Sequence, residues 1–176
     1  MNRLQKPLLA LTLSLLSLTA VAVDGYKDMK FGSSYSTIKQ QADCSLSGPE
    51  TVDGMSVYSC KNFVFGSKKT LAMFGFNNDK FVRLAISVTM DDLPGVVEGL
   101  KSKYGMTTPL SSADINTFMN TPNSRVVARF DKNHITLVFD NDANSQKTIF
   151  LVYTADNYSS AGAGSSTSSS VSKNDL

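Results

Sequence analysis

Residues Phe81–Thr89 alternate without a break, with Val82, Leu84, Ile86 and Val88 on one side and Arg83, Ala85, Ser87 and Thr89 on the other. A two-residue period of this length is a half-buried β-strand, because successive side chains of an extended chain point to opposite faces. Asn77-Asn78-Asp79 just before it is turn chemistry, since Asn and Asp tolerate the left-handed backbone that a tight reversal demands. Strand, short polar turn and strand is an antiparallel connection, so the chain is expected to build a sheet of that kind.

The same reading extends along the chain. Met55–Phe65 and Thr70–Phe76 read as strands joined at Gly66-Ser67-Lys68-Lys69. Arg125–Phe130, Ile135–Asp140 and Thr148–Thr154 form a second set, with a turn at Asp131-Lys132-Asn133. The inward candidates there are Val126, Ala128 and Phe130, then Ile135, Leu137 and Phe139, then Ile149, Leu151 and Tyr153. Two helices are predicted. Ser34 is placed to cap one over Tyr35–Ala42, with Ile38 on its inward side. Asp91-Asp92 precede the other, Leu93–Lys103, where Pro94 sits in the first turn, Val96, Val97, Leu100 and Tyr104 make a stripe, and Gly105 ends it. Ser47-Gly48-Pro49-Glu50 reads as a loop, and the connection through Pro109 and Pro122 carries a helical turn at Asp114–Met119.

The order helix, three strands, helix, three strands divides the chain into halves at about 24–90 and 91–158. Leu71 and Leu137 align at an offset of 66, and Lys80 and Lys147 at 67. The expected fold is therefore α+β: one domain over 23–158, an antiparallel sheet with helices on one face, made of two similar helix-plus-three-strand halves.

Both ends read differently. Asn2–Lys6 supply a basic segment, Leu8–Val21 an apolar run, and Ala20-Val21-Ala22 a small-x-small site before polar Asp24-Gly25. Residues 1–22 thus read as a secretory signal, too short in its apolar part for the ~20 residues of a bilayer span. Export to the periplasm or outside the cell is expected, without stable membrane insertion after cleavage. Ser159–Leu176 is mostly Ser, Gly and Ala, with Val171 and Leu176 its larger aliphatics, a composition that cannot bury enough apolar surface to order itself.

Export sets the reading of the cysteines. Cys44 and Cys60 stand 16 positions apart, and an oxidising compartment favours a structural disulfide between them. With no C-x-x-C and no neighbouring His or third Cys, a redox pair or a metal site fits poorly.

The run Phe31-Gly32-Ser33-Ser34-Tyr35-Ser36-Thr37-Ile38, a Gly, a capping Ser and a hydrophobic residue four positions later, resembles the helix start of the small-protein-A-like outer-membrane assembly lipoproteins. The duplicated layout is similar to that of the beta-lactamase-inhibitor proteins. The resemblance implies a non-enzymatic periplasmic domain that binds another protein across its sheet. The chain lacks the lipidated Cys after the apolar run that the lipoprotein family carries.

Composition narrows the function classes. Of 17 Lys and Arg, two (Arg3 and Lys6) lie in the signal, leaving 15 against 15 Asp and Glu. A balanced charge with no basic block speaks against nucleic acid as a partner. His134 is the single His; a turn histidine is expected to be solvated, and no G-x-S-x-G elbow offers it a nucleophile. Asp140-x-Asp142-x-Asn144 copies the first ligands of a calcium loop, but Ser145 stands where Gly should turn the chain and Leu151 where a Glu should close it. Asp91, Asp92 and Asp114 are candidate carboxylates for glycosidic chemistry, which helix capping explains without it. No enzyme, cofactor or metal site is expected. The partner surface proposed from sequence combines Phe74, Phe76 and Phe81 with outward Arg83, Arg125 and Arg129, against the alternative that the three Phe are core. The expected function is binding of another envelope or secreted protein, as an inhibitor or immunity factor or, alternatively, as an envelope assembly factor.

Overall fold

The alternating segment lies at the centre of an eight-stranded antiparallel sheet in a computed structural model that describes residues 23–156. The signal expected at 1–22 and the tail expected at 159–176 lie outside the described residues. A small hairpin, β1 (Gly25–Tyr26) and β2 (Met29–Lys30), comes first. Helix α1 (Tyr35–Gln41) follows, its first turn capped by Ser34 Oγ accepting the Thr37 N–H. A meander of β3 (Ser47–Val52), β4 (Met55–Phe65), β5 (Lys68–Asn77) and β6 (Lys80–Ser87) completes the first part. Helix α2 (Leu93–Tyr104), strand β7 (Met106–Thr108) and helix α3 (Ser112–Asn120) lead to a second meander of β8 (Ser124–Phe130), β9 (Ile135–Asn141) and β10 (Lys147–Thr154). The spatial order is β3-β4-β5-β6-β10-β9-β8-β7.

The first meander has four strands because the segment read as a loop is the edge strand β3. All six of its residues are exposed. Proline has no N–H to give to a ladder, and an edge is where a strand can carry it. Pro49 there also discourages pairing with another chain, and the opposite edge, β7, is only three residues long.

One face of the sheet is the core. Phe74, Leu84, Tyr153, Ile135 and Phe130 stand side by side across β5, β6, β10, β9 and β8. Ala72, Ile86, Leu151, Leu137 and Ala128 form the next row. All ten are buried. Ile38 of α1, Leu100 of α2 and Phe118 of α3 pack onto this cluster, which puts all three helices on the same side. Among the described residues no helix is long and apolar enough to cross a membrane.

Two sequence expectations shift. A register slip in the β5–β6 pairing sets Gly75 opposite Arg83 but Phe76 opposite Phe81, leaving Val82 as the extra residue of a bulge. Val82 therefore does not continue the Leu84 row; Phe81 does, and it is fully buried. The alignment of Leu71 with Leu137 also fails, because Leu71 stands on the face away from the core while Leu137 is fully buried within it. Lys80 and Lys147 do open comparable strands, β6 and β10. The disulfide between Cys44 and Cys60 is formed, with Cα atoms 6.2 Å apart, and it ties the chain after α1 to the buried middle of β4.

Candidate functional site

The face opposite the helices is also rich in apolar side chains. Val127, Val138 and Phe150 lie in one row across β8, β9 and β10. Val152, Ala85 and Met73 lie in the next, across β10, β6 and β5, with Arg129 and Thr136 at its β8 end. A third row sets Arg83 opposite Gly75, and Gly75 opposite Val57 of β4. None of these apolar residues belongs to the core cluster, and Val57, Met73, Val127, Val138, Phe150 and Val152 are half-buried. Half-covered hydrophobic side chains thus span the middle of this face.

Arg83 sits inside this face. Gly75, its cross-strand neighbour, has no side chain to compete for the space: a Cβ there would lie 3.3 Å from Arg83 Cβ and 3.5 Å from Met55 Sδ. The Arg83 Nε is buried and has no hydrogen-bond partner among the described residues. Burial lowers the pKa of the guanidinium from its usual value, and the charge of Asp53 partly offsets this. A buried donor left unmatched is costly, and a carboxylate or carbonyl brought from outside would satisfy it.

Arg125 and Arg129 share this face, as their strand alternation predicts. Arg125 is engaged: its Nε and a terminal nitrogen donate to the two Asp140 oxygens at 2.6 and 2.9 Å, which raises its pKa. Arg129 is half-buried opposite Thr136. Three strand spacings, about 14 Å, separate it from Arg83.

Phe74, Phe76 and Phe81 are elsewhere. They are at most 2 % exposed and stack among themselves in the core, so the aromatic and cationic residues expected to form one patch lie on opposite faces of the sheet. The apolar part of the open face is supplied instead by residues that sequence reasoning passed over. A signal for them exists: Ile149–Tyr153 is apolar at every position, and a strand apolar on both sides is a strand whose two faces both seek cover.

His134 is not solvated. Its side chain is 12 % exposed, with Nε2 at 2.9 Å from Asp156 Oδ1 and Nδ1 at 3.7 Å from Asp131 Oδ2. The segment that copies the start of a calcium loop is an Asx turn: Asp142 Oδ1 accepts the N–H groups of Asn144 and Gln146, and Asp140 is taken by Arg125. Asp114, the third residue of α3, closes a capping box with Ser111, whereas Asp92 makes no side-chain cap hydrogen bond to α2, contrary to the capping expected there, and pairs with Lys68 and Thr89 instead. Among the described residues no group of three or more His, Cys, Asp or Glu is placed to hold a metal ion. On the helix side, a cleft of about 550 Å³ opens under Gly95 and Gly99 of α2 and is lined by Tyr26, Tyr104 and Tyr153. Burial, with the neighbouring Tyr104 and Tyr26, raises the Tyr153 phenol.

Fold and face together define an α+β domain whose eight-stranded sheet is roofed by helices on one side and, among the described residues, left uncovered, apolar and arginine-bearing on the other. The chain belongs to a family described as "Uncharacterised protein", whose model matches residues 26–167. A protein of Haemophilus influenzae, described as "Uncharacterized protein", is 29% identical over 157 residues, covering 89% of this chain and 90% of that one. No solved structure matches the chain.

Proposed function

We propose that this chain is exported to the periplasm or secreted and acts there, without catalysis, by docking the open face of its sheet onto another envelope or secreted protein, as an inhibitor or immunity protein does. The observation that carries the reading is Arg83: a guanidinium with a buried Nε unmatched among the described residues, on the same face as Val57, Met73 and Val152, which none of the described helices covers. Desolvated arginines ringed by apolar side chains are where protein interfaces concentrate their energy. The partner this chemistry fits presents an acidic side chain at the centre of a mostly apolar loop or helix end. The signal-like sequence of 1–22, the Cys44–Cys60 bridge and the resemblance to inhibitor-like duplicated domains support the compartment and the class.

The similarity of the two halves is part of the proposal. The strand order reads the same outward from the β6–β10 seam, with β5 matching β9, β4 matching β8 and β3 matching β7. One helix precedes each outer strand, α1 before β3 and α2 before β7. Such a layout widens one continuous sheet face beyond what a single half would offer.

Affinity capture from envelope extract, run in parallel with wild type, Arg83→Glu and Glu98→Lys on the exposed side of α2, tests the reading. A partner retained by wild type and Glu98→Lys but lost with Arg83→Glu is expected, and a captured hydrolase should lose activity at one-to-one ratio. Recovery of membrane-assembly components by the same face would favour the second role, an envelope assembly factor. Capture indifferent to Arg83→Glu would sink the docking face.

A further inference from the structure

The backbone N–H of Val23 donates to Asp131 Oδ2 at 2.7 Å, across 108 residues of sequence. Val23 is also the residue that follows Ala20-Val21-Ala22, the small-x-small site expected to be cut. We propose that the bond between Ala22 and Val23 is hydrolysed and that Asp131 is the receptor for the Val23 α-ammonium this releases. The inference rests on the export reading above. In the cleavage, water adds its oxygen to the Ala22 carbonyl as the C–N bond breaks; Val23 nitrogen leaves as an amine and takes a further proton at neutral pH.

The site around Asp131 is built for a cation. Asp131 is 8 % exposed, and a carboxylate withdrawn from water needs a charged or multiply donating partner. An amide N–H supplies one donor and no charge, whereas an ammonium supplies three donors and a full charge at the same atom. His134 does not fill the need. Its Nδ1 stands 3.7 Å from Asp131 Oδ2, beyond hydrogen-bond distance, and is itself buried without a partner, while its Nε2 is directed to Asp156.

The backbone around Asp131 points the same way. Asp131, Lys132 and Asn133 take φ values of 45°, 52° and 82°, three successive non-glycine residues in the left-handed region. Such a turn persists only where surrounding contacts over-determine it. The contacts here are the His134 N–H to the Asp131 carbonyl, the Thr154 N–H to the His134 carbonyl and the Val23 nitrogen on the Asp131 side chain. Val23 is itself held, since its side chain packs against the core and the Asp24 carbonyl accepts the Phe31 N–H at 2.8 Å. Removal of everything before Val23 leaves its nitrogen where it is and changes only its charge.

Intact-mass analysis of the protein recovered from the envelope fraction is the first test. A species beginning at Val23 is expected. A start at another residue near the site overturns this inference while leaving export intact; a full-length cytosolic species overturns the export reading itself. The second test compares the free-amine form with one bearing an extra Gly before Val23, each with and without Asp131→Asn, by urea unfolding. The Gly extension should lower the midpoint in the wild-type background and have no effect once Asp131 is Asn. An extension that leaves the wild-type midpoint unchanged refutes the docking. Amine labelling covers the case in which Asp131→Asn fails to fold: the Val23 amine of the native protein should react roughly tenfold or more slowly than in urea, as a group reached only through local opening does. Equal rates would refute the docking as well.

Discussion

The side-chain amide of Asn141 donates to the backbone carbonyl of Phe118 at 2.9 Å, at a point where neither residue is more than 2 % exposed. The carbonyl belongs to the last turn of α3, where helix geometry leaves acceptors without partners, and the donor comes from the core side of β9. One buried hydrogen bond therefore fastens a helix end to the sheet. Asn141→Ala should cost about 1–3 kcal/mol, since it strands the Phe118 carbonyl away from water. Urea denaturation checks this, with Asn116→Ala on the exposed side of α3 as the near-neutral comparison.

The Cys44–Cys60 bridge closes a sequence separation of 16 and anchors the chain after α1 against β4, with Cys60 fully buried. A loop of that length is worth about 3 kcal/mol to the folded state. Cys44→Ala/Cys60→Ala should lower stability by about that amount, and dithiothreitol should no longer affect the variant while it destabilises the wild type. Free thiols titrated in denatured, unreduced wild-type protein would contradict the bridge.

Asp114 gives an acid-side prediction with a definite sign. The Ser111 N–H and hydroxyl both donate to its Oδ2, at 2.8 and 2.7 Å, and these bonds lower its carboxyl pKa from the ordinary 3.8. The folded state then binds fewer protons than the unfolded one, so the contribution is present above the ordinary carboxylate value and lost as pH falls through the folded one. The difference in melting temperature between wild type and Asp114→Ala should therefore be largest near about pH 6 and narrow toward about pH 2. A difference that does not change with pH would mean that the side-chain charge plays no part in the cap.

Much of this architecture is written in local patterns, because local rules govern it. Ser34 caps α1 and Asn77-Asn78-Asp79 turns β5 into β6, with Asn78 and Asp79 at φ of 47° and 60° as that chemistry demands. The failures are tertiary. Gly48-Pro49 looked like a loop because the rule against proline in strands does not know that β3 is an edge. Val82 is buried, but a bulge invisible to a two-residue period takes it out of the Leu84 row and passes that inward position to Phe81. That same bulge takes Phe81 out of the expected patch and into the core, while Arg83 stays on the open face by plain alternation with Leu84. His134 is not the solvated turn residue expected, because Asp156, far along the chain, reaches its Nε2 only when β10 pairs back against β9.

Arg83 carries the sharpest opposition between stability and function. Its buried Nε has no partner among the described residues, so replacing the side chain with an apolar one of similar length removes an unmatched donor and keeps its place opposite Gly75. Arg83→Met should be neutral or more stable by up to about 1 kcal/mol, the behaviour of a buried charge that is not paid for by a partner within the fold. The same change should weaken capture of the partner by about tenfold or more, because truncating a central interface arginine typically costs more than 1 kcal/mol. Arg83→Lys separates charge from geometry: an ammonium restores the charge but not the planar fork, so it should recover only part of the binding. Unfolding curves and capture on the same preparations decide the matter. An Arg83→Met protein that is markedly less stable would make Arg83 a structural residue, and the open face would then need another centre.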